Sequence, residues 1–156
     1  MTAKRRPRAK GWIPPPWYAK PALRLQFLRE IGGLADVRVV HVPDYPGVFS
    51  VSFPLSPSGV PTRVVTISFM SHIPNVHVDG PTDSPHRYGK GSLCMWYPGD
   101  PRELRWMPAD GAAVLITLIA AHLIKECYWR LTGEWIGPEK GHSLQDLDKQ
   151  ERLARA

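Results

Sequence analysis

The sequence predicts an α+β domain, and three patterns carry that reading. Leu23, Phe27, Leu28 and Ile31 recur at helical spacing. Phe49, Val51, Phe53 and Leu55 alternate with Ser50, Ser52 and Pro54, and Val65, Ile67 and Phe69 alternate with Thr66 and Ser68, the period of half-buried strands. Ala112 to Ile124 is apolar almost all round, as a largely buried helix is. A helix, successive strands with short links and a second helix make α+β with an antiparallel meander.

The elements follow in order. Residues 1–20 form a basic and then proline-rich arm ending in Pro14-Pro15-Pro16-Trp17-Tyr18. Lys4, Arg5, Arg6, Arg8 and Lys10 place +5 of the net charge of +6 in that arm, so the body is nearly neutral. Such an arm can touch nucleic acid or an acidic partner, and its plainer role is a solubilising terminus. The first helix is expected to stop at Gly32-Gly33. Val37 to Val42 is a short β-branched run, and Ser56-Pro57-Ser58-Gly59 is a turn between the second and third strands. From Pro74 to Gly99 the periodicity fades, apart from a short candidate strand at Val76–Val78. A loop of this length inside one domain is functional or disordered, and its Leu, Met, Trp and Tyr content argues against disorder. Pro108 suits the first turn of the long helix, Asp110 its positive end, and Gly133 its stop. The domain spans 21–142, and 143–156 is a charged tail.

The chain of 156 residues, 43% hydrophobic, suits a single packed domain, and 17 prolines predict forced turns. No secretory signal is visible, and the longest apolar stretch is shorter than the roughly 20 residues a membrane span needs. A cytoplasmic protein with two free thiols, Cys94 and Cys127, is the expectation.

Cys94 lies in Gly89-Lys90-Gly91-Ser92-Leu93-Cys94-Met95-Trp96. A large substrate can approach a thiol on a glycine-rich loop, and Lys90, Arg87 and His86 nearby raise thiolate character. The alternative is an inert buried cysteine. Cys127, beside Tyr128 and Trp129, reads as packing. A histidine near the thiol can deprotonate it or an incoming amine. His72, His77 and His86 flank the loop and His142 follows Gly141, whereas His41 and His122 read as structural. Asn75 can donate to a developing oxyanion, or can be a turn residue after Pro74. No Cys-x-x-Cys pair and no i, i+4 histidine pair suggests a metal site. There is no phosphate-cradling Gly-x-x-x-x-Gly-Lys motif by which the chain could itself activate a carboxylate, and no cofactor is expected.

Gly91-Ser92-Leu93-Cys94 followed by Trp106-Met107-Pro108, with His86 preceding the cysteine, resembles the ubiquitin-conjugating enzymes. That family has an N-terminal helix, a four-stranded antiparallel meander, a loop carrying the active-site cysteine and a central helix. It shows His-Pro-Asn before Gly-x-x-Cys, and Trp-x-Pro at the opening of the central helix. Here Arg87 and Tyr88 stand where the family has Pro and Asn. His86-x-Tyr88, Leu93-Cys94 and the ending Thr132-Gly133-Glu134-Trp135-Ile136-Gly137-Pro138 with His142 look like the bacterial branch, which occurs in anti-phage CBASS operons and in other bacterial ubiquitin-like conjugation operons. The chain is too short to include the activating domain that some branch members carry.

The resemblance implies that Cys94 carries the C-terminal tail of a partner protein as a thioester and passes it to a lysine. The implied partner is a cGAS-like nucleotidyltransferase or a ubiquitin-like protein, with a separate activating enzyme. His86 is the first choice for acid/base or positioning work, followed by His142 and His77; Tyr88 and Asn75 are the candidate polar supports. Two rival readings are a non-catalytic binding module on the same fold and a nucleic-acid binder using Lys4–Lys10 with Trp12, Trp17 and Tyr18. The second ranks below because the charge is confined to the arm.

Overall fold

A computed structural model describes residues 15–45, 47–71, 73–88, 91–97 and 99–137. Trp17–Ala19 form a 3-10 turn that leads into helix α1, Pro21–Leu34. Pro21 opens the helix, where its missing N–H costs nothing. Phe27 and Ile31, one turn apart, are buried, whereas Leu23 is not. The helix runs through Gly32 and Gly33, past the expected stop, and ends where Ala35 turns extended while its N–H reaches the Ile31 carbonyl at 3.0 Å. Burial of Ile31 fixes this last turn, and tertiary packing overrides the weak glycine propensity. The packed body also reaches back into the expected arm. Tyr18 is 3% exposed, and the Trp17 ring packs against Phe27, Phe69 and Trp106.

Four strands, β1 (Arg38–His41), β2 (Phe49–Leu55), β3 (Arg63–Phe69) and β4 (Asn75–Val78), form one antiparallel sheet in chain order. The short candidate strand at Val76–Val78 is thus a full partner of β3, in register Ile67 with Val76 and Val65 with Val78. Alternation decides the faces. Phe49, Val51, Phe53, Val65, Ile67, Phe69, Val76 and Val78 point into the core. The opposite face is polar, with Ser52 and Thr66 hydroxyls hydrogen-bonded across the β2–β3 pair at 2.8 Å.

Helix α2, Gly111–Thr132, follows a 3-10 turn at Pro108–Asp110. Asp110 accepts from the Met107 N–H at 2.7 Å and pairs with Arg102. The free N–H of Ala112 is instead taken by the Glu30 carboxylate of α1, at 2.9 Å, which ties the two helices together. Gly133, at φ 78, ends the helix as expected and gives its N–H to the Trp129 carbonyl at 2.7 Å. Ala112, Leu115, Ile119 and Leu123 join the sheet and α1 in one core. The run Ala112–Ile124 is less buried than its composition suggests: Val114 and Ile124 are exposed, and so is Leu131 further on. The stretch Pro108–Thr132 is long and apolar enough to cross a membrane; in this fold, the apolar character of one side is spent on the core.

Candidate functional site: a cysteine hairpin against the central helix

After β4 the chain folds into a small hairpin. Arg87 and Leu93 pair as an antiparallel bridge, the Cys94 N–H reaches the His86 carbonyl at 2.7 Å, and the Tyr88 N–H reaches the Ser92 carbonyl at 2.9 Å. Gly91 makes the return possible. Its φ is 86, and a Cβ there would meet the Thr82 methyl at 3.0 Å. The Leu93 N–H bonds the Val76 carbonyl at 2.8 Å and anchors the hairpin to β4.

Period two then sorts the side chains. Arg87 and Leu93 share one side, where Leu93 enters the core. His86, Tyr88 and Cys94 share the other, with His86 and Cys94 directly across from one another. The Arg87 guanidinium forks onto Glu126 of α2, with Nε to Oε1 at 2.6 Å and Nη2 to Oε2 at 2.9 Å, while its Nη1 donates to the Gly91 carbonyl at 2.8 Å. The Ser84 hydroxyl donates to the same carboxylate at 2.6 Å. Both charged side chains are almost fully buried, at 3% and 1% exposed.

Burial disfavours the charged form of Glu126, but donors from His122, Arg87 and Ser84 outweigh it and hold the carboxyl well below the usual range. The Arg87 fork and Ser84 carry most of this. His122 Nε2 lies 3.4 Å from Oε1 and is not aligned for a hydrogen bond.

Cys94 is 6% exposed and is a free thiol. Burial pushes the thiol up, a hydrogen bond from Tyr88 pulls it back, and the Asp100 charge adds a further upward push. The Tyr88 hydroxyl is raised well above its ordinary range, first by burial and then by the same bond. The opposite signs on the two partners identify Tyr88 as the donor and the sulfur as the acceptor. Of the cations expected to activate the thiol, Arg87 faces away, onto Glu126, His86 lies directly across the hairpin, and Lys90 lies outside the described residues.

A cleft of about 580 Å³ opens beside the thiol. Hairpin residues His86, Cys94 and Met95 line one part, and Leu118 and His122 of α2 another, with Trp135 beyond the end of α2. Of the candidates read from the sequence, His86, Tyr88 and Cys94 are brought together. His77 is not: alternation along β4 turns Val76 and Val78 inward and His77 out onto the solvent face, opposite Thr66. Asn75 is exposed too, opposite Ser68, and lines a separate shallow cleft with Tyr88 and Ser92. His142 lies outside the described residues. Cys127, the residue after Glu126 on α2, is partly buried and lies near the Gly59 carbonyl.

Sequence reasoning missed His122 and Trp135, which line the cleft, and Glu126, which holds the hairpin. The spacing of His122 and Glu126, one turn apart on an apolar helix, is the signal that could have found two of them. Among the described residues, no group of three or more His, Cys, Asp or Glu is placed to hold a metal ion.

No curated protein and no solved structure matches the chain. Residues 41–143, about two thirds of the chain, match the E2-CBASS family model, described as Type II CBASS E2 protein. The matched span includes the Cys94 hairpin, the cleft and the whole of α2. The chain belongs to the Type II CBASS E2 family.

Proposed function

We propose that the chain is a conjugating enzyme that carries a partner protein's C-terminus as a thioester on Cys94 and transfers it to a lysine. The observation that carries this reading is the position of Cys94 on a hairpin beside the cleft, directly across from His86, in a chain of the E2-CBASS family. A donor that steadies a thiolate also suits the oxyanion formed when the thioester is attacked, so Tyr88 takes the position and the role of the family's asparagine. An upward-shifted thiol rests protonated and forms a strong nucleophile once its proton is removed.

In the first step the Cys94 sulfur bonds the acyl carbon of the partner's tail, held as a thioester on a separate activating enzyme. The bond to that enzyme's sulfur breaks, and the proton from Cys94 passes to the departing thiolate. In the second step a lysine amine attacks the acyl carbon, the bond to Cys94 breaks, and the proton released by the amine returns the sulfur to the thiol. His86, across the hairpin from Cys94, is our candidate to relay that proton, as a histidine beside a thiol can. The site chemistry needs no metal or nucleotide, since the carboxyl arrives already activated.

The partner we favour is a cGAS-like nucleotidyltransferase in the cytoplasm, whose conjugation primes anti-phage signalling. A bacterial ubiquitin-like protein is the alternative. The test is incubation with the proteins encoded beside it, followed by a non-reducing gel. A thiol-sensitive adduct lost in Cys94→Ala and kept in Cys127→Ala is expected. An adduct indifferent to Cys94 contradicts the reading and leaves a binding module on the same fold.

A further inference from the structure

We infer that Trp135, which follows α2, is a positioning residue that holds the His86 imidazole beside the Cys94 thiol. The inference rests on the reading of Cys94 as a reactive thiol.

Three observations lead to it. First, His86 has φ 60, the only described non-glycine residue in the left-handed region. Such a backbone persists only where the surroundings over-determine it, and it clusters at functional sites. Second, the Trp135 ring lies on the His86 imidazole, with centroids 4.5 Å apart and planes 35° from parallel. Third, the other side of the contact is fixed. Trp135 meets the buried His122 ring of α2 edge-on at 5.4 Å, and His122 Nε2 lies 3.4 Å from Glu126 Oε1. Glu126 holds the hairpin that carries His86 through Arg87. Helix and hairpin therefore grip His86 from two directions: the backbone through the Cys94 N–H and the ring through Trp135. Without the indole, the imidazole loses the ring face it packs on, beside the cleft that Trp135 also lines.

The charged groups that share the cleft with the pair are Asp100, Glu103 and Asp110, with Lys125 of α2, Arg102 and Arg105. The Tyr88 hydroxyl, raised well above its ordinary range, also acts on the thiol. The other imidazole in the cleft is His122, which packs on Trp135 as well.

The test is alkylation of the full chain, in a Cys127→Ala background, with iodoacetamide from about pH 5 to about pH 9, and the product at Cys94 quantified by mass spectrometry. An imidazolium held beside the thiol favours the thiolate. The parent profile is expected to show an inflection in the histidine range, lost in His86→Asn and kept in His122→Asn, besides the one from the thiol. Trp135→Ala and Trp135→Leu are expected to lose the histidine inflection and to react about tenfold more slowly near pH 6, the effect of one pH unit in thiol titration. Trp135→Phe is expected to keep it. The leucine variant preserves bulk, so it reports on the ring even if the alanine variant does not fold. A histidine inflection unchanged in Trp135→Leu, or absent from the parent, overturns the inference. Neither result depends on thioester formation, which the adduct gel reads separately.

Discussion

Cys94 lies directly across the hairpin from His86, its N–H on the His86 carbonyl at 2.7 Å, and the Tyr88 hydroxyl acts on its sulfur as a donor that favours the thiolate. That donor opposes burial and the Asp100 charge, which push the thiol up. Removing it in Tyr88→Phe is expected to raise the thiol midpoint further. A hydrogen bond to a charged group is worth about 1.5–3 kcal/mol, so the midpoint should move up by about one pH unit or more. Alkylation rate against pH measures it. An unchanged midpoint means that Tyr88 does not act on the sulfur.

The Arg87–Glu126 pair joins the hairpin to α2 through two buried charges. Taking away one partner leaves the other uncompensated, at a cost of about 3–5 kcal/mol. Arg87→Met and Glu126→Leu should each lower the urea midpoint strongly. The double replacement Arg87→Met with Glu126→Leu should recover much of the loss, because neither charge is then left buried.

The same pair sets a pH response. The Glu126 carboxyl is held well below its unfolded value of about 4.3. Its contribution to stability is therefore complete above that pH and is lost as pH falls through the folded value, because the unfolded chain takes up the proton first. Urea midpoints of the parent should fall between about pH 5 and about pH 3 more steeply than those of Glu126→Gln. Parallel curves would show that another carboxylate governs the acid limb.

Gly91 shapes the turn that brings Cys94 back toward His86. In Gly91→Ala the new methyl meets the Thr82 side chain, and the left-handed backbone costs about 1–2 kcal/mol. A loss of stability of that size, together with slower Cys94 alkylation, is expected. Gly32→Ala, in a helix with nothing within 4 Å of its added Cβ, should gain stability, by up to about 1 kcal/mol.

Much of this architecture is legible in the sequence because it rests on local periodicity. Phe49–Leu55 and Val65–Phe69 read directly as strands, and Gly133 as a helix end. Gly32-Gly33 misled because the buried Ile31 overrules local propensity. The site was legible only in part. Cys94, His86 and Tyr88 lie within nine residues of one another, and a hairpin brings them onto one side. His77 and Asn75 were as close to the loop in sequence, but strand alternation turns them away. Glu126, His122 and Trp135 reach the site from α2 and beyond, across a separation no local pattern spans.

The central claim is that Cys94 bears an acyl bond to another protein's C-terminus. Its most direct measurement is peptide mass spectrometry of the chain produced together with the proteins encoded beside it, comparing the parent with Cys94→Ser. The parent should show a partner's C-terminal residue on Cys94, released by dithiothreitol. Cys94→Ser should hold the same residue as an oxygen ester that resists thiol and yields to base. An unmodified Cys94 in the presence of every neighbouring protein, or a partner joined at a site that persists in Cys94→Ala, would contradict the account.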